Sequence, residues 1–194
     1  MKNDFFHDLY MTIRDVRVRD CSAMSLSHLL HGYLSVYALV RVSPVLEWEY
    51  GTLQEIHERL REIAKELSKA MKDTSIELDE QIGYVADLMD AYQTYSDMDL
   101  LNEALDVTYR ILTVDEKGEI VIPGRTPNVC RLLCSWYYFT GEEWCWEMAE
   151  GIAGDYDNLE QKQVWQWLRT ERCFKNLSED TMFLERWNKE EKEI

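Results

Sequence analysis

Glycine and proline are scarce, with eight and three residues in a chain of 194. That is about half of the roughly 7% and 5% that soluble proteins carry. Sandwiches and barrels need frequent turns, so the shortage argues against both and leaves helices. Basic side chains are also outnumbered, 21 against 37 acidic, which sets the net charge at −16 and the pI near 4.6. A phosphate approaching such a chain meets a repulsive field, which argues against nucleic acid and anionic membranes as partners. The one local basic cluster, Arg14, Arg17 and Arg19, is interrupted by Asp15 and Asp20 and reads as a solvated mixed-charge segment. No apolar run approaches the roughly 18 residues that span a bilayer. The stretch from Met1 to Asp8 carries acids early and has no apolar signal-peptide core, so a cytoplasmic location is expected.

Cysteine gives no framework either. Five residues, an odd number without a CxxC spacing, stand at Cys21, Cys130, Cys134, Cys145 and Cys173, and reduced thiols are expected. Cys130 and Cys134 share a helical face, as do His28 and His31, but neither pair has a further ligand at helical spacing. The expectation is no metal and no cofactor. Phosphate-binding glycine loops, a nucleophile elbow and a His-Glu-x-x-His pattern are all missing.

What the chain does have is apolar bulk. Hydrophobic residues make up 46% and tryptophan occurs seven times, enough to build a core and to exclude a disordered acidic tail. Apolar residues recur at three-and-four spacing from Ser25 to Val42, from Leu53 to Met71, from Ile76 to Tyr95 and from Asp99 to Leu112. Thr52 followed by Glu55 has the form of a capping box, and Pro44 suits the first turn of a short helix. The face carrying Glu55, Glu58, Arg59, Glu62, Lys65 and Lys69 is expected to be solvated. Asp115 to Gly118 reads as a turn, and residues 119–123 as the one short extended segment. Thr126-Pro127 then caps a further helix, Thr140-Gly141 breaks it, and another runs from Glu142 to Ala153. Beyond Asn158, two more helical stretches carry Trp165, Leu168, Phe183 and Trp187. The expected fold class is all-α, an array of antiparallel hairpins forming one domain over 1–194, with flexible ends at about 1–20 and 188–194.

One internal repetition stands out. Tyr92 precedes Ala104 by twelve positions and Tyr137 precedes Ala149 by twelve, with Ser96-Asp97 and Gly141-Glu142 at matching places between them. The offset is 137 − 92 = 45 residues, which suits a helical-pair repeat better than the period of about 34 in tetratricopeptide arrays. This corner resembles the tyrosine, Thr-Gly-Asp, aromatic-leucine, alanine pattern of the α/α-toroid proteins, the six-hairpin glycosidase and sugar-epimerase group. A closed toroid has more helices than are counted here, so the expectation is an open or truncated array, or a smaller helical domain that merely shares the hairpin.

The resemblance also implies where a ligand would sit, over the starts of the inner helices. If those begin near Asp79, Asn128 and Gln161, the candidates are Asp79, Glu80, Tyr84, Arg125, Asn128, Arg131, Gln163 and Trp165, and the loop from Pro123 to Asn128 places a cation and hydrogen-bonding groups at a helix N-terminus. Asp87 joins them as a possible acid because, like Asp90, it lies in an otherwise apolar helix. Trp144 and Trp146 are two apart and cannot both face inward, and the same holds for Trp165 and Trp167. Trp146 and Trp167 are expected to face outward as interface residues. The functional expectation is a binding protein whose acidic, aromatic-rich surface engages a protein partner or a second copy of the chain. The alternative is a saccharide-binding or carbohydrate-processing protein.

Overall fold

The computed structural model describes residues 5–73, 75–118 and 120–154. Among them, eight α-helices account for most of the chain, with a two-stranded sheet as the only strands. The fold is therefore all-α. It separates into two compact units, residues 1–76 with 87–106, and residues 77–86 with 107–194.

The first unit begins with a helix that the sequence reading assigned to a flexible end. Helix α1 spans Phe5–Arg14, and a single 3-10 turn follows at Val18–Asp20. This segment is held by contacts that no local pattern reveals: the Tyr10 hydroxyl donates to the Tyr50 carbonyl at 2.8 Å, and Val18 is buried. Helix α2, Ala23–Val42, starts on Ser22, whose hydroxyl accepts from the Ser25 N–H at 3.2 Å. It buries Leu26, Leu29, Leu30, Tyr33, Val36 and Val40. A 3-10 turn at Pro44–Leu46 leads into the one-turn helix α3, Glu47–Tyr50.

Helix α4, Leu53–Ala70, begins with the expected capping box, in which Glu55 N–H donates to Thr52 Oγ1 while the Glu55 carboxylate accepts from Thr52 N–H at 2.8 Å. Ile56, Leu60, Ile63, Ala64 and Leu67 form its buried stripe, and α2 packs on α4. Glu58, Glu62, Lys65 and Lys69 face solvent as expected, but Arg59 does not. Its guanidinium turns back to hydrogen-bond the Val16 carbonyl and lies 5.8 Å from the centre of the Tyr33 ring, so it is half-buried.

Helices α5, Leu78–Tyr95, and α6, Met98–Ile111, each contribute residues to both units. In the first unit, the corner between them is turned by Ser96 at φ 58°.

The second unit carries β1, Thr113–Val114, paired antiparallel with β2, Ile120–Val121. β2 is the extended segment read from the sequence; β1 is too short to leave a pattern. Helix α7, Pro127–Thr140, starts on Thr126 and stops at Gly141, which adopts φ 69°. Helix α8, Glu143–Ala153, packs on α7, and the Cys130 thiol donates to the Ala149 carbonyl at 3.4 Å. Cys130, Cys134, Cys145, Ala149 and Ile152 are completely buried there.

Candidate functional site

The loop before α7 is where the sequence placed its strongest ligand-binding candidates, and in the structure its polar groups are already engaged. Asp79, in the first turn of α5, accepts from the Thr126 hydroxyl through one carboxylate oxygen and from Asn128 Nδ2 through the other, the latter at 3.0 Å. Asn128 also donates to the Asp79 carbonyl at 3.1 Å. This close seat explains Gly83, where an added Cβ would stand 3.0 Å from the Asn128 amide. Arg125 is exposed, but its guanidinium donates to the Gly151 carbonyl at 2.5 Å. The arrangement is a latch that fixes the start of α7. Tyr84 and Arg131 are buried, so neither is presented as a surface ligand group. Trp165 and Trp167 lie outside the described residues.

Asp87 belongs to the first unit and is 1% exposed, not solvated like an ordinary helical acid. Its Oδ2 accepts from the Ser27 hydroxyl at 2.5 Å, and its Oδ1 lies 2.7 Å from His31 Nε2. A carboxylate only accepts, so Nε2 carries the hydrogen and the ring is held in one orientation. Ser27 and His31 are four apart on α2 and therefore share a face, which lets one buried acid serve both. Sequence reading paired His31 with His28 and missed this partner, which is 87 − 31 = 56 positions away.

The outward and inward assignment of Trp144 and Trp146 does not hold. Both are half-buried. Trp146 packs against Tyr137 with ring centres 5.8 Å apart, and the Trp144 indole donates to Glu142. Among the described residues the exposed tryptophan is instead Trp48, 79% accessible in α3, with Val42 at 81% and Val45 at 74%. These three residues follow one another at intervals of three across the corner from α2 to α3.

A cleft of about 830 Å³ opens in the first unit between the segment from Tyr10 to Asp20 and the helices α2, α3 and α4. Tyr10, Tyr33 and Tyr50 form an aromatic wall, with Tyr10 edge-on to Tyr50 at 5.1 Å and to Tyr33 at 6.3 Å. Burial raises the phenol pKa of both Tyr10 and Tyr33. The basic cluster of the sequence, Arg14, Arg17 and Arg19, lines this cleft together with Arg59. No group of three or more His, Cys, Asp or Glu able to hold a metal occurs among the described residues.

No family model, curated protein or solved structure matches the chain.

Proposed function

We propose that the protein works by binding, engaging a protein partner or a second copy of itself through an acidic, aromatic-bearing surface built on helical hairpins. The observation that carries this reading is the corner Val42, Val45 and Trp48, three large apolar side chains left almost fully in water. An aromatic side chain buries about 150–250 Å² when covered. At about 25 cal/mol per Å², Trp48 alone keeps several kcal/mol of apolar transfer energy unrealised. Tryptophan is also the residue type most enriched at the energetic centres of interfaces. The net charge of −16 favours a basic partner and speeds its encounter.

The hairpin reading is supported by the repeated corner, where Ser96 and Gly141 share one turn geometry. An α/α-toroid-like relationship and a cytoplasmic site of action belong to the same proposal. The carbohydrate alternative would use the polar, tyrosine-walled cleft of the first unit; saturable binding of a neutral oligosaccharide there would favour it.

Pull-downs from native lysate with the wild-type chain and with Trp48→Ala, each at low and high salt, test the binding reading. The expected result is a partner, or self-association, that Trp48→Ala loses and that high salt weakens as charges are screened. A Trp48→Ala chain that retains every association overturns it.

A further inference from the structure

We propose that the cleft of the first unit is a site for a small organic anion, a carboxylate or phosphate monoester on a flat apolar body, with the anion held by Arg17 and Arg19. An acidic chain has few reasons to gather four guanidinium groups around one cavity, yet Arg14, Arg17, Arg19 and Arg59 all line it. The acids of the lining are largely committed. Asp15 pairs with Arg14 at 3.0 Å and Glu62 with Arg59 at 2.7 Å. Glu55 is held by the Thr52 N–H and hydroxyl, while Glu49 lies 2.6 Å from a His7 Nδ1 that makes no hydrogen bond.

What remains unspent decides the ligand. The side chains of Arg17 and Arg19 make no hydrogen bond or ion pair among the described residues, and Asp20 is the only carboxylate of the lining in the same condition. Five carboxylates face the four guanidiniums of the lining, so what the cleft offers an anion is the open donor forks of Arg17 and Arg19 and not a net positive charge. A guanidinium offers a planar fork of donors that matches a carboxylate or phosphate. Arg59, whose Nε is buried without a hydrogen-bond partner, stiffens the wall behind them through Val16.

The rest of the cavity sets the body of the ligand. The rings of Tyr10, Tyr33 and Tyr50, with Ile56, supply apolar contact. The Tyr10 hydroxyl is turned away to the Tyr50 carbonyl, which leaves its ring as the recognition element. A volume of about 830 Å³ falls within the range of about 300–1,000 Å³ typical of small-molecule sites. The long-range field of the chain repels anions, so affinity must come from this contact and not from steering.

Isothermal titration at fixed ionic strength tests the site with five probes: phenyl phosphate, benzoate, inorganic phosphate, phenol and maltose. Phenyl phosphate or benzoate should bind at least about tenfold more tightly than the other three. Arg17→Gln and Arg19→Gln, singly and together, should weaken that binding by at least about tenfold in the double variant, while Lys65→Gln, an exposed cation on α4 away from the cleft, should not. Circular dichroism reports whether each variant folds, and the single variants carry the test if the double one does not. Equal binding of all probes, tighter binding of maltose, or unchanged affinity in the folded arginine variants overturns the proposal.

Discussion

Ser96 and Gly141, separated by 141 − 96 = 45 positions, adopt the same left-handed backbone conformation, at φ 58° and 69°. Each closes its corner in the same way, with its N–H bonded at 2.8 Å to the carbonyl four residues back, Tyr92 in one case and Tyr137 in the other. The left-handed region is comfortable for glycine and strained for serine. Ser96→Gly is therefore expected to hold or raise stability, by up to about 1 kcal/mol, and Gly141→Ala to lower it by about 1 kcal/mol. Chemical denaturation of both variants checks the pair; a gain for Gly141→Ala would show that the corners are not equivalent.

Asp87 joins Ser27 and His31 in the interior of the first unit, and the sign of each substitution follows from what is left behind. Asp87→Ala strands the buried Ser27 hydroxyl and the half-buried His31 N–H and should cost about 2 kcal/mol, whereas Ser27→Ala removes a single hydrogen bond and should cost about 1 kcal/mol. Equal losses would mean that the carboxylate does not hold the histidine. The urea midpoints of the two variants distinguish these outcomes.

Burial in the core of the second unit, and secondarily Glu142 and Cys134, push the Cys145 thiol up to about 12 from an ordinary 9.0. Tyr10 and Tyr33 shift in the same direction, again chiefly through burial. Above pH 9 the unfolded chain releases these protons while the folded chain keeps them, so the unfolded state binds fewer protons and stability falls as pH rises. Thermal unfolding should therefore show a steady loss between pH 9 and 12. The same burial predicts that Cys145 is alkylated more slowly than the half-buried Cys21, measured by peptide mass after brief treatment.

Trp48 and Trp146 should part company when truncated. Trp48→Ala removes an exposed side chain and should leave stability within about 0.5 kcal/mol. Trp146→Ala removes a ring packed on Tyr137 and should cost about 1 kcal/mol or more. Thermal melts of both variants decide; equal effects would return Trp146 to the surface.

Local chemistry explains which parts of this fold could be read in advance. Thr52 with Glu55, Thr126 with Pro127, and Gly141 act within a few residues, so their spacing alone announces a helix start or stop. The polarity of α4 was equally plain, since its buried stripe recurs at the helical period. Partners far apart in sequence were not legible. Helix α1 is secured through Tyr50, forty positions on, and Asp87 gains its role only from Ser27 and His31. Arg59 sits at a position whose helical phase points to solvent, but its long stem reaches back under Val16. The polar groups of the loop before α7 are engaged for a related reason: Asp79, from another helix, holds Thr126 and Asn128, and the Gly151 carbonyl, 26 positions on, holds Arg125. Trp48 lies in a single helical turn, too short for its spacing to show a face.

The contrast between Trp48, 79% accessible, and Trp136, 3% accessible and set edge-on to Tyr109 at 5.0 Å, gives the chain a built-in optical gauge. Iodide in solution can collide with the first indole and not with the second. A partner seated on the corner would shrink the quenchable share of the emission, while unfolding would enlarge it. Occupancy and integrity thus move one signal in opposite directions, without any dye or label.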